Sequence, residues 1–134
     1  MKLICRWIGA LFLILIPLQA LGEVHFIRFN HANEKGDDKN FAAIDLETGK
    51  LLWEKKLKQE VNFVRGTEDG VLVGSDDGNL YLFRQDNGSQ IWAAKLGEAV
   101  NEFHKEWRDS FLVSNHQQIY WLVGRDGKVR ATWK

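Results

Sequence analysis

The sequence predicts an all-β fold built from a repeated sheet unit. The stretch from Ala43 to Trp53 is followed by a degenerate copy of itself from Leu82 to Trp92, with the two tryptophans 39 residues apart. Between Val24 and Lys134 the sequence shows short alternating runs rich in β-branched and aromatic residues, bounded by Gly, Asn and Asp. Such runs are typical of strands and hairpins. A period of about 40 residues with several strands per unit is typical of a β-propeller blade.

The same offset continues into a third unit. Three glycines keep the 39-residue spacing, namely Gly49, Gly88 and Gly127. We therefore expect an incomplete β-propeller of about three four-stranded antiparallel blades, at residues 24–57, 61–96 and 100–134. A β-sandwich of similar strand count is the alternative fold, but it would leave the regular offset unexplained.

Residues 1–22 have the layout of a secretory signal peptide. Lys2 and Arg6 precede an apolar run from Ile8 to Ile16, and the small residues Ala20 and Gly22 suit cleavage before Glu23. The apolar run is short for a membrane span of about 20 residues. We expect an exported protein, periplasmic or secreted, with no stable membrane span after cleavage; an uncleaved N-terminal anchor is the alternative.

The segment after the signal peptide, residues 23–134, is long enough for one small domain. It contains 16 basic and 18 acidic residues, and this near balance argues against nucleic acid as a partner. The sole cysteine, Cys5, precedes the apolar run, so it cannot carry the lipid of a lipoprotein. The exported domain would therefore have no thiol, disulfide or haem-attachment motif.

The first unit predicts strands at Val24–Phe29 and Phe41–Ile44, separated by a charged insertion at 30–40 that we interpret as a long solvated hairpin loop. The second unit predicts four strands joined by three glycine turns, at Val61–Val64, Val71–Ser75, Asn79–Phe83 and Gln90–Ala94. Glycine suits these turns because it accepts a positive φ.

The third unit predicts strands at Asn101–Trp107, Ser110–Val113, Gln118–Val123 and Lys128–Trp133. Its turn, Arg125–Gly127, aligns with Asp86–Gly88 of the second unit. The 39-residue offset also pairs Tyr120 with Tyr81.

The first unit resembles the repeat of the PQQ-dehydrogenase-like propellers. Its signature positions are Ala43, Asp45, Thr48, Gly49 and Trp53. The second unit keeps Gly88 and Trp92. The third keeps only Gly127, with Ala131 at the tryptophan position and Trp133 two residues later.

The resemblance implies that the repeat tryptophans dock between neighbouring blades and are structural residues. Because strand side chains alternate, a displacement by two residues leaves Trp133 on the same face. The family includes quinoprotein dehydrogenases as well as scaffolds without a cofactor, so the fold does not decide the function.

A quinoprotein enzyme would need oxygen ligands for calcium and a carboxylate base. The candidates are the pairs Asp37/Asp38 and Asp76/Asp77, but each pair lies at a predicted hairpin turn, where aspartate bonds its own backbone. The histidines show no metal-binding spacing; they are His25, His31, His104 and His116. His104, with Phe103 and Trp107, lies in a segment that could line a blade edge. We expect no catalytic residue, cofactor or metal, and no enzyme.

Three blades are fewer than the roughly four to eight of a closed propeller, so apolar inter-blade faces are left uncovered. We therefore expect a non-catalytic protein-binding or scaffold module. Its partner is another protein, or a second copy that closes a six-bladed ring. The alternative is a truncated N-terminal part of a quinoprotein-like dehydrogenase.

Overall fold

The computed structural model describes residues 23–29 and 40–134. The predicted signal peptide and most of the predicted insertion, residues 30–39, lie outside the described residues. The described residues form eleven strands: β1 Val24–Arg28, β2 Phe41–Asp45, β3 Leu51–Lys55, β4 Val61–Thr67, β5 Gly70–Ser75, β6 Asn79–Phe83, β7 Gln90–Lys95, β8 Glu102–Trp107, β9 Ser110–Ser114, β10 Tyr120–Gly124 and β11 Val129–Trp133. Within these ranges no helix is long and apolar enough to cross a membrane.

The strands form three antiparallel sheets in chain order, so the predicted incomplete propeller is confirmed. Sheet 1 has the order β1-β2-β3, sheet 2 β4-β5-β6-β7, and sheet 3 β8-β9-β10-β11. Each strand pairs with the next along the chain, as in a propeller blade. The three sheets fall short of the roughly four to eight blades that close a ring.

The first unit differs from the predicted four strands, because its described residues form three. In sheet 1, Phe26 of β1 faces Ala43 of β2, and in sheet 2, Leu72 of β5 faces Leu82 of β6. Ala43 and Leu82 are one repeat apart, so β1 corresponds to β5. Sheet 1 therefore has no described counterpart of β4, the first strand of sheet 2.

The predicted pairing of Tyr81 with Tyr120 is also wrong by one residue. In sheet 2, the backbone N–H of Arg84 donates to the Ser89 carbonyl across a turn of four residues. In sheet 3, the N–H of Gly124 donates to the Lys128 carbonyl across a turn of only three residues. The second and third units are therefore offset by 40 residues before this turn and by 39 residues after it. Tyr120, which faces Trp133, takes the place of Leu80, which faces Ala94.

Strand β10 begins at Tyr120 instead of the predicted Gln118. Gln118 has φ 66°, outside the extended region. The side-chain oxygen of Asn115 accepts hydrogen bonds from the backbone N–H groups of Gln117 and Ile119, each at 3.0 Å. This asparagine turn occupies the residues that the sequence pattern assigned to the strand.

The core consists of two apolar layers, one in each gap between sheets. The layer between sheets 1 and 2 is centred on Phe41, Val61, Val71, Val73 and Phe83. The layer between sheets 2 and 3 is centred on Leu72, Leu80, Leu82, Ala94, Val100, Phe111, Val113, Trp121 and Val123. Because strand side chains alternate, sheet 2 contributes one face to each layer.

Candidate protein interface

A tryptophan of one sheet lies on a glycine turn of the next sheet at both inter-sheet contacts. Trp53 donates its indole N–H to the carbonyl of Gln85 at 2.8 Å, and its ring lies against Gly88. Trp92 repeats this contact with the carbonyl of Arg125 at 2.7 Å and with Gly127. Each ring thus adds a directed hydrogen bond to its apolar contact.

Glycine is required at these turns for two reasons. Gly88 has φ 73° and Gly127 has φ 81°, in the region that side chains with a Cβ resist. A Cβ at either position would also lie 2.7 Å from the docked indole ring. Gly49 shares the positive φ of 70°, but a Cβ there would have no neighbour within 4 Å.

The other signature residues of the first unit shape its turn. Asp45 accepts hydrogen bonds from the backbone N–H groups of Glu47 at 2.9 Å and Thr48 at 3.4 Å. The Thr48 hydroxyl accepts one from Lys50 N at 3.3 Å. Ala43 is fully buried directly opposite Trp53, where its small side chain leaves room for the ring. All of these contacts are structural.

Sheet 3 repeats the docking face of sheet 2, but no described element packs against it. We call this surface the open face; it consists of Leu112, Tyr120, Leu122, Ala131 and Trp133. The corresponding residues of sheet 2 are Leu72, Leu80, Leu82, Trp92 and Ala94.

Burial differs sharply between the two faces. The aliphatic residues of sheet 2 in that set are at most 3% exposed. On the open face, Leu112, Tyr120 and Leu122 are only half-buried, and Trp133 is 52% exposed. As predicted, Trp133 lies on the same face as Ala131, since Ala131 faces Leu122 and Trp133 faces Tyr120.

A polar group borders the open face on the edge strand β8. His104 Nε2 lies 2.6 Å from Ser114 Oγ and 3.7 Å from a carboxylate oxygen of Glu102. The His104 ring also contacts Tyr120, with ring centroids 5.3 Å apart. His104 therefore lies at a blade edge, as its sequence position suggested. Its ring nitrogen is hydrogen-bonded to the buried Ser114.

Of the aspartate pair that the structure describes, Asp77 bonds the backbone of its own turn as predicted, whereas Asp76 bonds a side chain of the neighbouring strand β4. Asp76 accepts a hydrogen bond from the Asn62 side chain at 2.8 Å. Asp77 accepts one from Asn79 N at 2.9 Å and another from the Tyr81 hydroxyl. Asp37, Asp38 and His31 lie outside the described residues. The part of the chain that the structure describes contains no cluster of three side chains suited to a metal ion.

Burial and the hydrogen bond to Asp77 raise the pKa of Tyr81 above its ordinary value of 10.0. The hydrogen bond from Asn79, at 3.1 Å, acts in the opposite direction. Burial and the hydrogen bond donated to a carboxylate therefore both favour the neutral phenol in the folded state.

Arg125 links sheets 2 and 3 through its side chain as well as its carbonyl. Its guanidinium contacts Asp69 of sheet 2 at 2.6 Å and Glu106 of sheet 3 at 2.5 Å. The hydrogen bonds to Asp69 and then Glu106 raise the pKa of Arg125. The sequence did not identify Gln85 and Arg125 as acceptors of the docking tryptophans, because each accepts through its backbone carbonyl, which no side-chain pattern indicates.

Repeated antiparallel sheets that dock through a tryptophan on the next turn define a β-propeller repeat module. A family model described as "Outer membrane protein assembly factor BamB" matches residues 29–132. The chain belongs to this family of PQQ-like repeats, which confirms the resemblance seen in the sequence. A search of curated proteins found no significant match.

Replacing a turn glycine tests the docking contact. Gly88→Ala and Gly127→Ala should each lower the free energy of unfolding by about 2–4 kcal/mol, from backbone strain plus overpacking against the indole ring. Gly49→Ala is the matched control and should cost only about 1 kcal/mol, since it adds strain without a clash. Urea unfolding measures the difference; equal costs at all three positions would contradict the docking role.

Truncating tryptophans tests which face is covered. Trp92→Ala should cost about 2–4 kcal/mol, because it leaves a cavity against sheet 3 and removes the bond to the Arg125 carbonyl. Trp133→Ala should cost less than about 1 kcal/mol, because that ring packs on no described sheet. Thermal or urea unfolding of both variants checks this, and a larger loss at Trp133 would refute the assignment of the open face.

The raised pKa of Tyr81 predicts a loss of stability at alkaline pH. Its contribution is fully present below the unfolded value near 10.0 and is lost as the pH rises through the higher folded value. The chain has two tyrosines, so a Tyr120→Phe background isolates Tyr81 in an ultraviolet phenolate titration. The midpoint should lie above that of the unfolded chain and fall in Asp77→Asn. A midpoint at or below the unfolded value would contradict the Asp77 bond.

Proposed function

We propose that the chain is an exported, non-catalytic scaffold that binds another protein, or a second copy of itself, through the open face of sheet 3. The observation that carries the proposal is the matched pair of faces described above. Sheet 2 buries its docking face under sheet 3, and sheet 3 presents the corresponding face, equally apolar, without a described cover.

The open face offers enough apolar area to favour association. An aromatic side chain buries about 150–250 Å², and burial is worth about 25 cal/mol per Å². Covering the exposed half of Trp133 would thus contribute roughly 2–3 kcal/mol. The half-buried leucines, Leu112 and Leu122, would add to this. Apolar patches of this kind typically mark protein contacts.

Three further observations support the proposed class of function. Asp76 and Asp77, the carboxylate candidates within the described residues, are engaged in hydrogen bonds within their own sheet and turn. The matched family description names an assembly factor of outer membrane proteins, which favours protein binding in the cell envelope. The signal-peptide pattern of residues 1–22 favours export. The dehydrogenase alternative stays a prediction.

The test compares two leucine substitutions by size-exclusion chromatography with light scattering and by binding of an apolar fluorescent dye. Leu122→Asp places a charge on the open face, whereas Leu46→Asp places one at the 53% exposed Leu46 in the β2–β3 turn. The wild-type chain should bind the dye or show a concentration-dependent mass above that of the monomer. Leu122→Asp should abolish this behaviour, and Leu46→Asp should not.

Two outcomes would overturn the proposal. One is a wild-type chain that stays monomeric and binds no dye. The other is association or dye binding that survives Leu122→Asp but is lost in Leu46→Asp. Circular dichroism of both variants ensures that the comparison is made between folded chains.

A further inference from the structure

The β2–β3 turn of sheet 1 matches the turn of sheet 2 that receives the Trp53 ring. Both turns contain four residues and are closed by the same backbone hydrogen bond. In sheet 1, the N–H of Asp45 donates to the Lys50 carbonyl at 2.9 Å. In sheet 2, the N–H of Arg84 donates to the Ser89 carbonyl at 2.8 Å.

The last residue of each turn is a glycine in the same conformation. Gly49 has φ 70° in sheet 1, and Gly88 has φ 73° in sheet 2. The N–H of Gly49 donates to the Asp45 carbonyl at 2.8 Å, and that of Gly88 donates to the Arg84 carbonyl at 3.0 Å. The β2–β3 turn therefore has the backbone geometry on which a tryptophan docks elsewhere in this chain.

The two turns differ in what covers them. Gly88 is buried under the Trp53 ring, whereas Gly49 is exposed, and an added Cβ there would have no neighbour within 4 Å. The Leu46 carbonyl corresponds to that of Gln85, which accepts the Trp53 indole N–H at 2.8 Å. Among the described residues, no aromatic ring packs on the β2–β3 turn.

The outer face of sheet 1 extends this turn with apolar side chains. Because strand side chains alternate, Ile27, Ala42 and Ile44 lie on the face that points away from sheet 2; we call them the receiving face. The register equates Ile27 and Ile44 with Val73 and Phe83, which are at most 2% exposed between sheets 1 and 2. Ile27 and Ile44 are only half-buried and belong to neither core layer.

The open face of sheet 3 has the complementary features. It corresponds to the docking face of sheet 2, and Trp133 is 52% exposed on it. Trp133 stands two residues beyond Ala131, which occupies the position of Trp92. A slide of two residues along the strands, about 6–7 Å, brings Trp133 to the position of Trp92 and keeps the same face in contact.

We propose that the β2–β3 turn and the receiving face bind the open face of a second copy, whose Trp133 packs on Gly49 and donates to the Leu46 carbonyl. The chain carries both sides of a contact that it makes twice internally, at Trp53 and Trp92, and this identifies a second copy as the occupant. Two copies related by a two-fold axis make the contact twice and form a ring of six sheets, within the range of closed propellers. This second site rests on the proposed function, because its occupant is the open face.

The contact uses the carbonyl of Leu46 and not its side chain. In sheet 2, the side chain of Gln85 donates to the Thr67 carbonyl of its own sheet at 2.7 Å, while the main-chain carbonyl of Gln85 accepts the Trp53 indole N–H. Leu46→Asp keeps the main-chain carbonyl. It should therefore associate like the wild type, as in the test of the open face.

Gly49→Ala tests the β2–β3 turn. A Cβ at Gly88 would lie 2.7 Å from the docked ring, so a methyl group at Gly49 should meet the ring of the second copy in the same way. The dissociation constant of the dimer should rise about tenfold or more, measured by light scattering over a concentration series. Gly97→Ala is the matched control, because Gly97 has φ 89° and an added Cβ there would have no neighbour within 4 Å. It should stay within about twofold of the wild type.

Mixing two variants tests which faces meet. Ile27→Asp places a charge on the receiving face and Leu122→Asp places one on the open face, and each variant alone should stay monomeric. Their equimolar mixture should form a dimer, because the intact open face of the first variant meets the intact receiving face of the second. This dimer should be weaker than that of the wild type, since only one of the two contacts forms. Light scattering measures the masses, and circular dichroism checks that both variants are folded.

Three results would contradict the second site and leave the proposed function standing. One is a wild-type chain that binds the apolar dye but stays monomeric. Another is an Ile27→Asp variant that associates like the wild type while Leu122→Asp does not, since another surface or a further segment of the chain would then meet these faces. The third is equal weakening by Gly49→Ala and Gly97→Ala. If Ile27→Asp perturbs folding, the two glycine variants decide alone. Association that survives Leu122→Asp would instead contradict the open face itself.

Discussion

The contact between a tryptophan of one sheet and a glycine turn of the next determines the rest of this structure. Sheet 2 has two apolar faces, and each of them must be buried against another element. The indole ring sets how the neighbour packs, because its N–H finds one carbonyl, of Gln85 or Arg125, and its face needs a residue without a Cβ, Gly88 or Gly127. A shift along the turn would lose the hydrogen bond and create a clash.

The tryptophan–glycine contact also explains why sheet 3 differs from sheet 2. Sheet 3 has Ala131 where the docking tryptophan stands in sheet 2, and Trp133 where sheet 2 has the small Ala94. The open face therefore keeps its apolar character but lacks the ring that orients a following blade. At the other end, one backbone edge of β1 pairs with no described strand. The two ends offer different chemistry, one through side chains and the other through main-chain bonds.

Local pattern was sufficient to predict sheets 2 and 3, because alternating runs and glycine turns determine strands directly, but it predicted one strand more in sheet 1 than the described residues form. The sequence pattern failed where the length or geometry of a turn decides which residues occupy equivalent positions. The turn after β10 is one residue shorter than its counterpart, which moved Tyr120 to the position of Leu80. The turn formed by the Asn115 side chain moves the start of β10 from the predicted Gln118 to Tyr120. The backbone acceptors of the docking tryptophans, on Gln85 and Arg125, carry no side-chain signal that a sequence could show.

Hydrogen exchange of the tryptophan indole N–H groups, followed by nuclear magnetic resonance, tests the docking contact itself. We expect slow exchange for Trp53 and Trp92, whose indoles donate to carbonyls of the next sheet, and fast exchange for Trp133 on the open face. Fast exchange of Trp92, or protection of Trp133 equal to that of Trp92 in the monomer, would contradict it. Either result would mean that the sheets do not stack by this contact or that the last face is covered.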